Sequence, residues 1–246
     1  MAPPVLLDVA DQVATITLNR PERRNAINRQ LLVDLYGMLE TVAASDEIRV
    51  VILTGNGPSF CAGLDLDAVG RENLFDPRGD GKILPDLVRT CNKPLIGAVN
   101  GHAVNAGFEL ALNCDFVIAA ENVQFSDNFV RVGIHPGWGM TQLLQQTVGQ
   151  RRAKQISFTC QPIYAHTAMA WGLVNEVLPP EHLLDRAWTI AGQIVQADPQ
   201  LLGTIKHLIE NRNRSPLEKA LDEERSGFWQ FVRQQLEKLK PARKES

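Results

Sequence analysis

The chain has 246 residues, 44% of them hydrophobic and 22% charged, with a formal net charge of −3. That is long enough for one sizeable α/β core, and the composition excludes a disordered chain or a basic nucleic-acid-binding surface as the main function. No window reaches the roughly 18 apolar residues of a membrane span and "MAPPVLLDVADQ" carries no charged leader, so a soluble protein with no membrane partner is expected.

In chain order, "VLLDV" and "VATITLN" alternate as paired strands, "RQLLVDLYGMLETVAA" has helical spacing, and "RVVILTG" reads as a buried strand ended by Gly55. "GNGPSFCAGLDLDAV" follows as a glycine-punctuated loop leading into a short helix, and "GRENLFDPRGDGK" as a polar, mobile segment. "LPDLVRTC" suggests a helix, "KPLIGAVNG" a buried strand, and "AGFELALNCD" a helix handing over to the strand "FVIAA". A strand, Gly loop, helix unit has then occurred twice, without enough identity to be called an internal repeat. From about Pro179 the pattern is helical only: "PEHLLDRAWTIAGQIVQA", "PQLLGTIKHLIENR" and "SPLEKALDEERSGFWQFVRQQLEKLK", the last opened by Ser215 as cap and Pro216 at the first helical position. These boundaries divide the chain into a core at 1–190 and a helical region at 191–246.

The four cysteines, Cys61, Cys91, Cys114 and Cys160, are far apart and lie in apolar contexts, which reads as reduced core thiols in a non-oxidising compartment. That means the cytoplasm or, in a eukaryote, the peroxisome or mitochondrion. The histidines show no metal-ligand spacing, and no metal is expected. One stretch stands out. In "NGHAVNAGFELALNCD" (100–115) a helix-like, almost wholly apolar sequence carries one carboxylate, Glu109, in its middle. A carboxylate among Phe108, Leu110, Ala111 and Leu112 is buried or lines a cleft, and its desolvation makes it a candidate functional group as well as a candidate structural one. Two glycine-bounded turns, "CAGLD" (61–65) and "NAGFE" (105–109), each read as following a strand and entering a helix. Each therefore offers backbone N–H groups of the kind that converge in an oxyanion hole.

Five motifs, "NRPERRNAIN" (19–28), "GPSFCAGLDL" (57–66), "KPLIGAVNGHAVNAGFELALNCDFVIA" (93–119), "VRVGIHPGWG" (130–139) and "AMAWGLVNEVLP" (168–179), resemble in order and spacing the enoyl-CoA hydratase/isomerase (crotonase) family. The resemblance spans nearly the whole chain. It implies an α/β fold of stacked ββα turns with a helical C-terminal trimerisation region, assembly as a homotrimer or dimer of trimers, and an acyl-CoA thioester as partner. No separate cofactor is implied, because coenzyme A is part of the substrate. By position, the N–H groups of Leu64 and Ala106 are the implied oxyanion-hole donors, and Glu109 is the first of two catalytic glutamates. Ala26 and Ala62 fall where the family's backbone meets CoA, Arg23 and Arg24 are candidates for a CoA phosphate, and Gly137 and Trp138 lie near the acyl pocket with His135.

The second glutamate of hydratases is expected twenty residues after the first, where this sequence has "FSDNF" and the position is Phe129. Phenylalanine transfers no proton. Asp127, two residues earlier, is an alternative acid or base. Hydration, double-bond shift, retro-aldol cleavage and decarboxylation all pass through the same thioester enolate. Three functions thus stand side by side: a hydratase-like lyase or isomerase of fatty acyl-CoA metabolism using Glu109, a non-catalytic acyl-CoA binder or scaffold, and a thioester hydrolase.

Overall fold

Asp11 and Gln12 both take left-handed backbone angles (φ 47° and 65°). That is the two-residue turn whose twist matches a hairpin, and it joins β1 (Val5–Ala10) to β2 (Val13–Leu18) as an antiparallel pair. The computed structural model describes residues 2–211, together with 216 and 219. Asn28 then caps α1 (Arg29–Ala44), accepting from the Leu31 N–H at 3.0 Å. The stripe Leu31, Leu35, Tyr36, Leu39, Val42 is buried, as helical spacing requires.

From here the chain alternates between two sheets. β3 (Val50–Gly55) leads to β4 (Ser59–Cys61), and after α2 (Leu84–Thr90) β5 (Leu95–Val99) leads to β6 (His102–Val104) and α3 (Ala106–Leu112). β7 (Phe116–Ala120) leads to β8 (Gln124–Ser126) and α4 (Phe129–Val132). Next come α5 (Met140–Val148), α6 (Gln150–Thr159), β9 (Ile163–Tyr164), α7 (Ala165–Ala170), β10 (Glu176–Leu178) and α8 (Leu183–Val195). The first sheet has the order β1-β2-β3-β5-β7-β10 and is parallel from β2 onward. The second has the order β4-β6-β8-β9, with only β9 antiparallel. Each of the pairs β3–β4, β5–β6 and β7–β8 gives one strand to each sheet, which is the expected stack of ββα turns.

Several sequence expectations change. Residues 59–61 and 102–104 are strands of the second sheet and not loop or helix, being too short for a period to show. The helix containing Glu109 begins at Ala106, as expected. After "CAGLD" the chain makes turns, such as Val69 N–H to the Asp65 carbonyl, where a short helix was expected. The segment 70–82 is pinned: Leu74 is buried, and Arg78 makes a bidentate pair with Glu40 of α1 at 2.7 and 2.9 Å while lying 5.4 Å from the Tyr36 ring centre. Arg78, with Lys82, holds the Glu40 carboxyl down at about 2. Charge in this stretch is fixed where composition suggested mobility.

The expected boundary at 190/191 falls inside α8, whose Leu183, Ala187 and Ala191 recur every four residues and are buried. The first compact unit runs through Ala197. In the second, the described helix is α9 (Pro199–Asn211). Apart from residues 216 and 219, the expected helix at 215–240 lies outside the described residues.

Candidate active site

Close packing of backbone on backbone brings the two glycine-bounded turns together. A Cβ on Gly107 would sit 2.2 Å from the Cys61 carbonyl oxygen, so only glycine lets α3 rest on β4. Gly63 has φ +88°, and a Cβ there would lie 2.8 Å from the Val104 carbonyl and 3.6 Å from the Ala106 nitrogen. Leu64 forms a parallel bridge with Ile27, in which the Ile27 N–H donates to Gly63 and the Asp65 N–H donates to Ile27. Those bonds flank Leu64, so its own N–H points away from Ile27. Ala106 is the first residue of α3, where an N–H has no partner within the helix. Among the described residues neither N–H meets a protein acceptor. The Ala106 donor opens a helix as expected. The Leu64 donor sits in a turn.

Beside these turns is a cavity of about 170 Å³ whose wall includes Ala62, Leu64, Asn105, Asn128, Phe129 and Ile134. Its lining is mostly apolar. Glu109, one helical turn beyond Ala106, is 2% exposed and does not form the wall. Its Oε1 accepts from the Trp138 N–H at 2.8 Å and the Met140 N–H at 3.1 Å. The Gly137 backbone N–H also bears on the carboxylate. Burial pushes the Glu109 carboxyl up, the N–H groups of Met140 and Trp138 oppose this, and the charge of Asp127 adds to the rise. Asp127 is thus near enough for its charge to bear on Glu109. The chain leaves β8 after Ser126 and enters α4 at Phe129, and the buried Asp127 accepts the Phe129 N–H at 3.1 Å. Phe129 itself is buried against the cavity.

The sequence profile of the family described as "Enoyl-CoA hydratase/isomerase" matches residues 8–243. The chain is 37% identical over 212 residues to the Arabidopsis thaliana protein named "Probable enoyl-CoA hydratase 1, peroxisomal", covering 85% of this chain and 79% of that one. It is 36% identical to the 1,2-epoxyphenylacetyl-CoA isomerase of Escherichia coli K12, covering 90% and 87%. The crystal structure of an enoyl-CoA hydratase from Bacillus anthracis superposes with a TM-score of 0.86 at 33% identity, covering 94% and 91%. The chain belongs to the enoyl-CoA hydratase/isomerase family. It is an enzyme of the hydratase/isomerase type with that family's stacked fold.

Within this family member the remaining site residues divide. Ala62 lines the cavity, and its N–H donates to the Arg24 carbonyl. Ala26 lies off the cavity wall, one residue before the Ile27 bridge, with its carbonyl held by the Arg20 guanidinium. Arg23 and Arg24 are exposed on the same loop, Arg23 paired with the exposed Asp67 at 3.2 Å. Gly137 and Trp138 are not on the cavity wall, and the Trp138 backbone N–H donates to Glu109. The exposed His135 closes on the Pro136 carbonyl.

Two residues that composition and motif passed over organise the site. Asn25 is fully buried, accepts from the Arg20 N–H at 2.8 Å and donates to the carbonyls of Asn56 and Ser59, tying the 20–27 loop to β4. Asn105 links the Ala106 turn to Asn128. The signal for both was an asparagine at a tight turn, a residue that tolerates positive φ.

Proposed function

We propose that this enzyme adds water to a short, apolar enoyl-CoA, with the Leu64 and Ala106 N–H groups holding the thioester oxygen and Glu109 moving the proton. The single observation that carries this is the pairing of two acceptor-free backbone N–H groups with one desolvated carboxylate. In the proposed step Glu109 takes a proton from water as the water oxygen bonds to the β-carbon. The π electrons shift to the thioester oxygen, and the enolate is stabilised by the two donors. The same carboxyl then returns the proton to the α-carbon, restoring the carbonyl. One oxyanion donor is worth about 10² to 10³ in rate and a positioned acid or base about 10² to 10⁴. A site with both donors and one carboxylate therefore suffices for catalysis. The reaction is redox-neutral, and the reading includes no separate cofactor.

A second reading, a double-bond shift, is favoured by Phe129. Apolar at the second glutamate position, it suits a mechanism in which one carboxylate removes a proton from one carbon of the acyl chain and returns it to another. A pure acyl-CoA binder gains nothing from a desolvated Glu109, and a thioester hydrolase would need Glu109 to aim water at the carbonyl. Ala26 and Ala62 are proposed to meet the CoA chain through their backbone, Arg23 or Arg24 its phosphates, and Gly137 and Trp138 to bound the acyl end. Four buried cysteines outside any disulfide suit a non-oxidising compartment.

The test is a mass-spectrometric screen of acyl-CoA substrates for gain or loss of water, change of double-bond position, loss of carbon dioxide and release of CoA. Gain of 18 mass units on crotonyl-CoA supports hydration. Exclusive release of free CoA would replace this reading with the hydrolase.

A further inference from the structure

Asn105 has φ 49° and ψ −114°. This is the conformation of the first inner residue of a type II′ turn, which glycine ordinarily supplies. Asparagine visits positive φ more readily than most residues, but in the left-handed basin where ψ is also positive. A strained residue persists only when its surroundings over-determine it. Here they do. The Asn105 N–H donates to the Ser126 carbonyl at 2.9 Å, and its Oδ1 accepts the Asn128 N–H at 2.6 Å. On the other side the turn packs closely on Gly63, where a Cβ would lie 2.8 Å from the Val104 carbonyl.

Rotation about ψ of one residue swings the peptide plane that carries the next residue's N–H. The angle at Asn105 therefore decides where the Ala106 N–H points. The clamp joins the turn bearing that donor to the segment bearing Asp127 and Phe129, and Asn105, Asn128 and Phe129 share one cavity wall.

We infer that Asn105 is a positioning residue whose clamped, strained backbone aims the Ala106 N–H at the acyl thioester. The inference rests on the proposed oxyanion hole. A side chain kept merely for folding would be replaced by glycine with loss of stability and no change at the substrate carbonyl. A positioning residue behaves in the opposite way, because glycine relieves the strain and releases the aim.

The experiment uses crotonyl-CoA labelled with ¹³C at the thioester carbonyl, bound to the full-length Glu109→Gln protein so that turnover is silenced, and reads the carbonyl stretch by isotope-edited infrared spectroscopy. Binding is expected to lower the band. Adding Asn105→Gly or Asn105→Ala should abolish at least about half of that shift, since one of two donors is lost. In the otherwise unaltered enzyme, Asn105→Gly should lower kcat by roughly 10- to 10²-fold with KM changed less than about 3-fold. Its thermal midpoint should stay at or above the parent's, while that of Asn105→Ala falls. Failure of crotonyl-CoA to bind, or binding without a band shift in Glu109→Gln alone, would overturn the oxyanion hole and this inference with it. A shift present in Glu109→Gln and unchanged by both Asn105 variants would leave the hole standing and overturn the role of Asn105.

Discussion

Glu109 carries opposed influences. Burial drives its carboxyl toward the neutral form, the N–H groups of Met140 and Trp138 favour the charge, and Asp127 disfavours it. The net shift is upward, so the proposed base loses its charge at a higher pH than an ordinary glutamate does. Activity is expected to fall as pH drops through that raised value. Stability follows the linked sign. Across the window between the unfolded carboxyl, about 4.3, and the raised folded value, the native state binds more protons and loses stability as pH rises. Asp127→Asn keeps the cap on the Phe129 N–H while removing the charge. It should move the acid limb of kcat/KM to lower pH and leave the plateau within about 3-fold, read from a pH–rate profile. If Asp127 itself transfers the proton, the plateau will instead fall by about 10² to 10⁴.

At the scale of elements, the geometry depends on α3 lying directly on β4. Gly107→Ala forces its Cβ onto the Cys61 carbonyl. It should cost about 1–3 kcal/mol in denaturant unfolding, with activity lost in parallel. Gly37, inside α1, has nothing within 4 Å of its would-be Cβ, and Gly37→Ala should raise stability by about 0.4–1 kcal/mol without touching turnover. Loss of stability in Gly37→Ala matching that in Gly107→Ala would contradict the packing account. These elements also show what the sequence could reveal. α1, β3, β5 and β7 were legible because each carries a full hydrophobic period. β4, β6 and β8 are three residues each, too short for a period, and exist because the neighbouring turn pairs them. Glu109 was legible as a charge among apolar neighbours. Asp127 was legible as a possible acid or base, but its bond to the Phe129 N–H depends on the chain turning into α4 after Ser126. The clamp at Asn105 depends on backbone angles that residue type does not disclose.

For the whole molecule, no described helix is long and apolar enough to cross a membrane. α9 presents Leu201, Ile205 and Ile209, 44%, 46% and 68% exposed, at four-residue spacing along one stripe. An apolar stripe of this kind calls for a partner, and we propose that it serves assembly into a homotrimer or dimer of trimers. Sedimentation at micromolar concentration should show a trimer or hexamer, and Ile205→Asp with Ile209→Asp should shift it toward monomer. A monomeric parent would contradict the proposal. The central claim is that Glu109 moves a proton to and from the acyl chain of a thioester held by Leu64 and Ala106. Its most direct test is deuterium incorporation from D₂O into bound crotonyl-CoA and its product, followed by NMR. The parent should place solvent deuterium on the acyl chain, and Glu109→Gln should slow this by about 10² or more while still binding the thioester. Incorporation in Glu109→Gln as fast as in the parent would contradict the account.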